Sequence, residues 1–364
     1  MKSNLIKEIF KKPESEMEKE ISQQSEILKM LYEHYVRPDG VVMMNVPFYV
    51  NRVILIASGS SYNCAAIISY LLRDYAHIST QSIYASEFSQ ITDYEVENEA
   101  LYIFISQSGE TSDTIEALEK IREKTDKTLC ITNNEHSTLF EKANYKLLTY
   151  AGTEKSIAAT KSMSAQIYVL CLFIAKIIQS KEQDAAPLLQ DLKQAGEVIE
   201  SVFKDLDYIK AIGKKLADYN NISILGSGCF YPLAKEGALK IREVSYLNTN
   251  AYPTGEFLHG HVAALNKKTA VVTILSQFNK NFGVSVMKKI EKDYTPLMIT
   301  ISNFSIQTSQ LKSDYSIKFE YDNDIFLLFS TLVVFQLIAL ETGKKLKRNI
   351  DKPEGLNKVV KENP

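Results

Sequence analysis

The residues of this chain that could do chemistry fall in a few short stretches, the first of them Ile103-Phe-Ile-Ser106-Gln107-Ser108-Gly109-Glu110-Thr111-Ser112-Asp113-Thr114. An apolar run, Leu101 to Ile105, breaks into small hydroxyl residues around one glycine. An amphipathic segment then begins at Thr114 and keeps Ile115, Leu118 and Ile121 at helical spacing. That order predicts a strand, a tight turn and a helix start. The first N–H groups of a helix lack intrahelical partners and the helix dipole adds partial positive charge, so such a turn suits an anion. Ser106, Gln107, Ser108 and Thr111 add side-chain donors without adding charge, which is what a phosphate cradle needs. An ordinary helix cap also places Ser or Thr ahead of Asp or Glu. A cap uses one or two hydroxyls, whereas four fall between Ser106 and Ser112.

A second strand-to-helix loop, Ser58-Gly59-Ser60-Ser61, could supply further donors to the same ligand, since ligands of open parallel sheets collect at the carboxyl ends of the strands. Further on, Glu236, Lys240 and Glu243 stand at i, i+4 and i+7 and so share one helical face. Spacing alone leaves a solvated Glu/Lys stripe and a reactive face equally open. The small residues Ala234, Gly237 and Ala238 on the same helix allow another backbone or a ligand to come close. The loop Tyr252-Pro-Thr-Gly255-Glu256-Phe-Leu-His259-Gly260-His261 holds two of the five histidines. Ionisable residues on a glycine-containing loop point to function, but a metal site would need a third histidine or a cysteine. The polar end of the chain, Asn349 to Val359, reads by composition as a frayed tail, and nothing in it singles out Lys358.

The elements that position these residues alternate strand and helix. Residues 14–36 predict one helix, ended by Pro38-Asp-Gly40. Strands are expected at Val53–Ala57, Gln81–Ala85 and Thr128–Thr132, with helices at Tyr62–Tyr75 and, after Tyr145–Tyr150 and the run from Ala151, at Ser156–Gln179. Pro187 marks a passage between halves, and Leu189–Tyr219 has helical apolar spacing. Strands return at Ile222–Leu225, Ala270–Leu275 and Pro296–Ile301, before an apolar helix, Ile325–Leu340. The halves echo each other: Ile54 to Gly59 parallels Ile222 to Ser227, Ser106-Gln107 parallels Ser276-Gln277, and Ile131 to Asn133 parallels Ile301 to Asn303. A duplicated domain follows. Only the first copy keeps the hydroxyl turn, because Phe278-Asn279-Lys280 follows Ser276-Gln277 in the second.

At 364 residues, about two domains are expected. With 42 basic and 44 acidic residues, no charge excess points to nucleic acid. The most apolar window, Ile167–Ile178, is shorter than the roughly 20 residues that span a bilayer, and the N-terminus has no leader-like apolar run. Cys64, Cys130, Cys171 and Cys229 lie far apart and read as buried thiols in a reducing, cytoplasmic setting.

Several runs together resemble one family. Ser-Gln-Ser-Gly-Glu-Thr-x-Asp-Thr (106–114), Ala-Gly-Thr-Glu-x-x-Ile-Ala-x-Thr-Lys (151–161), Glu-Gly-Ala-Leu-Lys-x-x-Glu-x-Ser-Tyr (236–246), Gly-Glu-x-x-His-Gly (255–260) and Asn-x-Asp-x-Pro-x-x-Leu-x-Lys (349–358) are similar to the isomerase half of glutamine:fructose-6-phosphate amidotransferases, which is a pair of sugar isomerase (SIS) domains. Met17-x-Lys19-Glu-Ile21-x-x-Gln24 is similar to the helix that enters that half. The resemblance implies an α/β fold of two tandem SIS domains, each a three-layer αβα sandwich with a flavodoxin-like parallel sheet. It places a helical segment at 1–40, the phosphate-binding SIS domain at 41–190, the second SIS domain at 191–348 and a tail that reaches the active site at 349–364.

The same resemblance implies sugar phosphate held by Ser60, Ser61, Ser106, Gln107, Ser108 and Thr111, with Ile157 and Ala159 in the sugar-contacting run. Glu243 would move a proton between sugar carbons 1 and 2, Lys240 would steady the enolic intermediate, and Glu236 belongs to the same motif. His259 would assist ring opening from the neighbouring subunit, and Lys358 would form an imine with the open-chain ketose. A homodimer or dimer of dimers with a shared active site is implied, with no cofactor, metal, nucleic acid or membrane partner. Lys2 stands where the family's glutaminase has its nucleophilic cysteine, so no glutamine hydrolysis is expected. Ile157 and Ala159 replace the commoner Val and Ser, His261 stands where proline is usual, and the tail ends Lys361-Glu-Asn-Pro364. The expected activity is proton transfer on an aminated hexose or ketose 6-phosphate with loss or exchange of the amine, as in deglycases and deaminases. Simple phosphosugar isomerisation and a sugar-phosphate sensor are the alternatives.

Overall fold

The computed structural model describes residues 12–47, 50–91, 95–306 and 311–358. Lys2 and Lys361 to Pro364 lie outside the described residues. The chain packs as two compact units. The first-sheet unit comprises Gln23–Glu154, Lys161–Gly196 and the tail from Asn357; the second-sheet unit comprises the segment through Ser22, Lys155–Thr160 and Glu197–Leu356.

The helix expected over residues 14–36 is two helices, α1 (Glu16–Ser22), in the second-sheet unit, and α2 (Gln24–Tyr35), which opens the first-sheet unit. The latter continues through β1 (Arg52–Ala57), α3 (Gly59–Ala76), β2 (Ser79–Tyr84), α4 (Ala85–Gln90), β3 (Ala100–Ile105), α5 (Ser112–Arg122), β4 (Thr128–Thr132), α6 (Thr138–Lys142), β5 (Tyr145–Leu148), α7 (Lys161–Ser180) and most of α8 (Ala186–Val202). Its strands pair in parallel in the order β2-β1-β3-β4-β5. The central strands β3 and β4 are buried at every residue, as continuous β-branched and aromatic runs covered on both faces should be. Strand order reverses between β1 and β3, and that switch point is where loops diverge and leave room for a ligand.

The second-sheet unit adds α9 (Leu206–Leu216), β6 (Asn221–Gly226), α10 (Phe230–Ser245), β7 (Asn248–Pro253), β8 (Thr269–Leu275), α11 (Lys280–Asp293), β9 (Leu297–Ser302), β10 (Tyr315–Lys318) and α12 (Asp324–Lys345). Its strands run parallel in the order β7-β6-β8-β9-β10, the same winding as the first sheet. Both units are α/β sandwiches of this type. β1 and β6 start at Arg52 and Asn221, and β4 and β9 at Thr128 and Leu297; each pair is 169 residues apart.

Several expectations need correction. The long helix starts at Lys161, not Ser156, because Ser156–Thr160 belongs to a strap held by other groups. It runs 20 residues, as long as a membrane span, and α12 runs 22; both are mostly buried within the protein, as core helices are. Pro187 sits in the first turn of α8, where its missing N–H costs nothing. The stretch to Tyr219 is not one helix: a 3-10 turn, Phe203–Asp205, separates α8 from α9. β7 and β10 escaped detection because they are edge strands, and Asn248-Thr-Asn-Ala-Tyr-Pro253 has no apolar alternation to read. All four cysteines are buried free thiols, and burial pushes those of Cys130 and Cys171 up to about 12.

Candidate functional site

In the first-sheet unit, β3 delivers Ser106 to the switch point. Its Oγ lies 2.9 Å from the Thr111 hydroxyl and accepts the Gly109 N–H at 3.1 Å, while Ser108 Oγ accepts the Glu110 N–H at 3.1 Å. Gly109 has φ +67°, and a Cβ there would lie 2.1 Å from Ser137 Oγ, so both backbone and space demand glycine. Thr111 occupies the N-cap of α5, but its side chain makes no cap bond to the helix. Its hydroxyl belongs to the turn instead. The Gln107 carbonyl is fixed by the Asn133 N–H at 3.0 Å and leaves its half-buried side chain to project from the loop. Neutral hydroxyls at a helix N-terminus are an arrangement that takes a phosphate dianion without an ion pair.

Ser60 and Ser61 lie in the first turn of α3, and Ser61 Oγ donates to Gln166 Oε1 on α7 at 3.2 Å. β1 and β3 are in register through Ala57 and Ile105, so the next residues, Ser58 and Ser106, follow from adjacent strand ends. Ser58 Oγ is buried and has no hydrogen-bond partner among the described residues. Ser58 is not among the phosphate-contact residues that the resemblance implies; the signal for it is its place one residue beyond the strand.

The same unit holds Lys358. Far from frayed, its Nζ lies 2.6 Å from Glu154 Oε2, and Glu154 is fully buried at the end of the irregular segment Ala151–Glu154. Ser162, in the first turn of α7, donates its hydroxyl to Oε2 at 2.6 Å and its N–H to Oε1 at 3.1 Å. Burial alone would raise the Glu154 carboxyl, but the Lys358 ammonium and the two Ser162 bonds outweigh it, so the group sits below the usual carboxylate range. Glu154 belongs to the 151–161 motif, but its partner is 204 residues away and no local pattern links them.

In the second-sheet unit, α10 carries the Glu/Lys face, and the face is not a solvated stripe. Lys240 is 1% exposed, 2.5 Å from Glu243 Oε2 and 3.5 Å from Glu236 Oε1; Glu236 is fully buried and Glu243 is 20% exposed. A buried ammonium shared by two carboxylates adds little net stability, because desolvation cancels most of the pairs' attraction. Glu243 alone of the three is open to solvent, with the Lys240 ammonium directly behind it. The small residues serve packing: a Cβ on Gly237 would lie 2.6 Å from the Phe335 ring of α12.

His259 ends a 3-10 turn, Glu256–Leu258, and is exposed, with no side-chain partner among the described residues. His261 instead packs its ring 4.3 Å from that of Tyr252. Ile157 and Ala159 lie half-buried on the strap Lys155–Thr160, which belongs to this unit. Glu20 of α1 accepts the Lys155 and Ser156 N–H groups, the Ile157 N–H donates to the Asp351 carbonyl at 3.0 Å, and Gln336 of α12 donates to the Thr160 carbonyl at 3.3 Å. The Asp351 side chain caps α1, accepting the N–H groups of Glu16 at 3.0 Å and Met17 at 2.9 Å. Among the described residues, no group of three or more His, Cys, Asp or Glu is placed to hold a metal.

The sequence pattern described as the SIS domain matches residues 49–176 and again 215–342. The chain belongs to the SIS-domain family. The two matched SIS segments each contain one of the parallel sheets. Among relatives, the glutamine–fructose-6-phosphate aminotransferase (isomerizing) of Campylobacter jejuni is 31% identical over 351 residues, covering 94% of this chain and 58% of that protein. The chain thus spans a little over half the length of the curated relatives it matches, and the part matched is the isomerase half. The C-terminal domain of the glucosamine-fructose-6-phosphate aminotransferase from Francisella tularensis superimposes with a TM-score of 0.89 at 25% identity, covering 94% of this chain and 99% of that one. A glucosamine-6-phosphate deaminase from Thermotoga maritima shares the fold, with a TM-score of 0.75 at 24% identity and coverage of 95% and 99%. The chain is thus related to isomerizing fructose-6-phosphate aminotransferases and shares the fold of the deaminase.

Proposed function

We propose that this SIS protein acts on an aminated hexose or ketose 6-phosphate by proton transfer between carbons 1 and 2, with loss or exchange of the amine. The observation that carries the reading is the buried Glu236–Lys240–Glu243 cluster with one carboxylate open to solvent. Glu243 serves as the base, Lys240 stabilises the enolate oxygen, and Glu236 holds Lys240 in place. A carboxylate moves protons to and from carbon best when partly buried beside a fixed charge. Ser106, Gln107, Ser108 and Thr111, with Ser60 and Ser61, take the phosphate, and Ile157 and Ala159 contact the sugar. His259 opens the ring from the neighbouring subunit of a homodimer or dimer of dimers, which suits its exposure. Lys358 forms an imine with the open-chain ketose.

Within this reading, deglycase or deaminase chemistry, in which the amine leaves, is the activity put forward. The test is a screen of amine-bearing hexose 6-phosphates with detection of the released amine. Release from at least one, with solvent deuterium entering carbon 1 or 2, is the expected result. Interconversion of hexose 6-phosphates with no amine released from any substrate would replace this reading with simple aldose/ketose isomerisation.

A further inference from the structure

The Lys358–Glu154 pair has a chemical consequence beyond holding the tail. We infer that Glu154 is the proton carrier for Lys358: it takes a proton from the ammonium as the amine attacks the ketose carbonyl, and returns it to the oxygen that leaves as water. This rests on the imine assigned above. The geometry is that of a donor and acceptor already in contact, 2.6 Å apart, with the carboxylate fully buried and the amine partly open. Ser162 fixes both carboxylate oxygens from the first turn of α7. Lys161, the neighbouring cation on that helix, is engaged elsewhere, donating to Gln23 at 2.9 Å.

The step balances without any further reagent. The ammonium gives one proton to Glu154; the free amine adds to the carbonyl carbon while the carbonyl electrons move to oxygen. A second proton passes from nitrogen to that oxygen, Glu154 returns the first, and water departs as the C=N bond forms. Nitrogen keeps one proton and ends as a cationic iminium. The buried carboxylate therefore faces a positive nitrogen at the start and at the finish, and its charge is never left uncompensated, which would be expensive at full burial. A salt bridge that only anchored the tail would not need a carboxylate so fully withdrawn from water, since a surface pair would serve.

The experiment uses the full chain, fructose 6-phosphate and borohydride, with the rate of reductive labelling at Lys358 followed by peptide mass mapping. Wild type is expected to label. Glu154→Gln should label about a hundredfold more slowly, the usual size of a general acid–base contribution, with fructose 6-phosphate affinity within twofold of wild type. Glu154→Asp, which keeps the carboxylate, should recover at least a tenth of the wild-type rate and keeps the test open if the glutamine variant does not fold. Labelling of Glu154→Gln at the wild-type rate, or equal losses in both variants with weakened sugar binding, overturns the proton-carrier role alone. No adduct at Lys358 in wild type overturns the imine and this inference with it.

Discussion

At the scale of single residues, the decisive contrast is between Glu236 and Glu243. Both face Lys240 from the same helix, yet one is sealed and the other is 20% exposed. A sealed carboxylate can only hold its neighbour's charge; an open one can also exchange a proton with something that arrives. Glu243→Gln keeps size and shape while removing the acceptor, so turnover should fall by at least a thousandfold, within the range that loss of a positioned acid–base group produces. Sugar-phosphate affinity, which the proposed function assigns to the hydroxyl turn, should change less than threefold. The measurement is steady-state turnover beside direct titration with fructose 6-phosphate. Turnover within tenfold of wild type would move the base to another residue.

At the scale of elements, the tail acts as a clamp rather than a loose end. Asp351 caps α1 from more than 330 residues away, its backbone carbonyl holds Ile157 of the strap, and the Glu354 N–H donates to the Tyr246 hydroxyl just past α10 at 2.6 Å. Asp351→Ala leaves two α1 amides without their acceptor and should cost about 1 kcal/mol, as the loss of an N-cap does. In a domain of this size that is a fall of roughly 2–4 °C in Tm, read by thermal melting; an unchanged Tm would mean that water replaces the cap without loss. Nothing in the sequence signalled this clamp. The hydroxyl turn was legible because strand, glycine and helix start follow within a dozen residues, and the Glu236–Lys240–Glu243 face because helical spacing is local. Burial of that face was not legible, since it depends on what packs around α10. The Glu154–Lys358 and Asp351–α1 contacts join distant parts of the chain, and β7 and β10 are edge strands whose sequences need no apolar alternation. Local pattern fixes what an element is; only tertiary packing fixes what it touches.

At the scale of the whole molecule, the chain is a duplicated domain whose copies differ in the turn that follows the third strand of each. The turn after β8 repeats that after β3, with Phe278, Asn279 and Asn281 in place of Ser108, Gly109 and Thr111. There Asn279 closes the turn on itself, its Oδ1 accepting the Ser276 N–H at 3.1 Å, and Phe278 stands 94% exposed. A cavity of about 450 Å³ bordered by Lys280 remains beside it, so an anion has a conceivable second home. The loss of the hydroxyls matching Ser108 and Thr111 argues against it, since Ser276 alone remains: one lysine at an open surface holds a phosphate weakly, whereas converging neutral donors at a helix start contribute about 1.5–3 kcal/mol per charged hydrogen bond. Calorimetric titration with fructose 6-phosphate should therefore give one site per chain. Ser106→Ala should weaken that site at least tenfold, the equivalent of about 1.4 kcal/mol, and Ser276→Ala should leave it within twofold of wild type. Two sites per chain, or equal weakening by the two serine variants, would show that the second copy has kept the ligand its loop no longer looks built to hold.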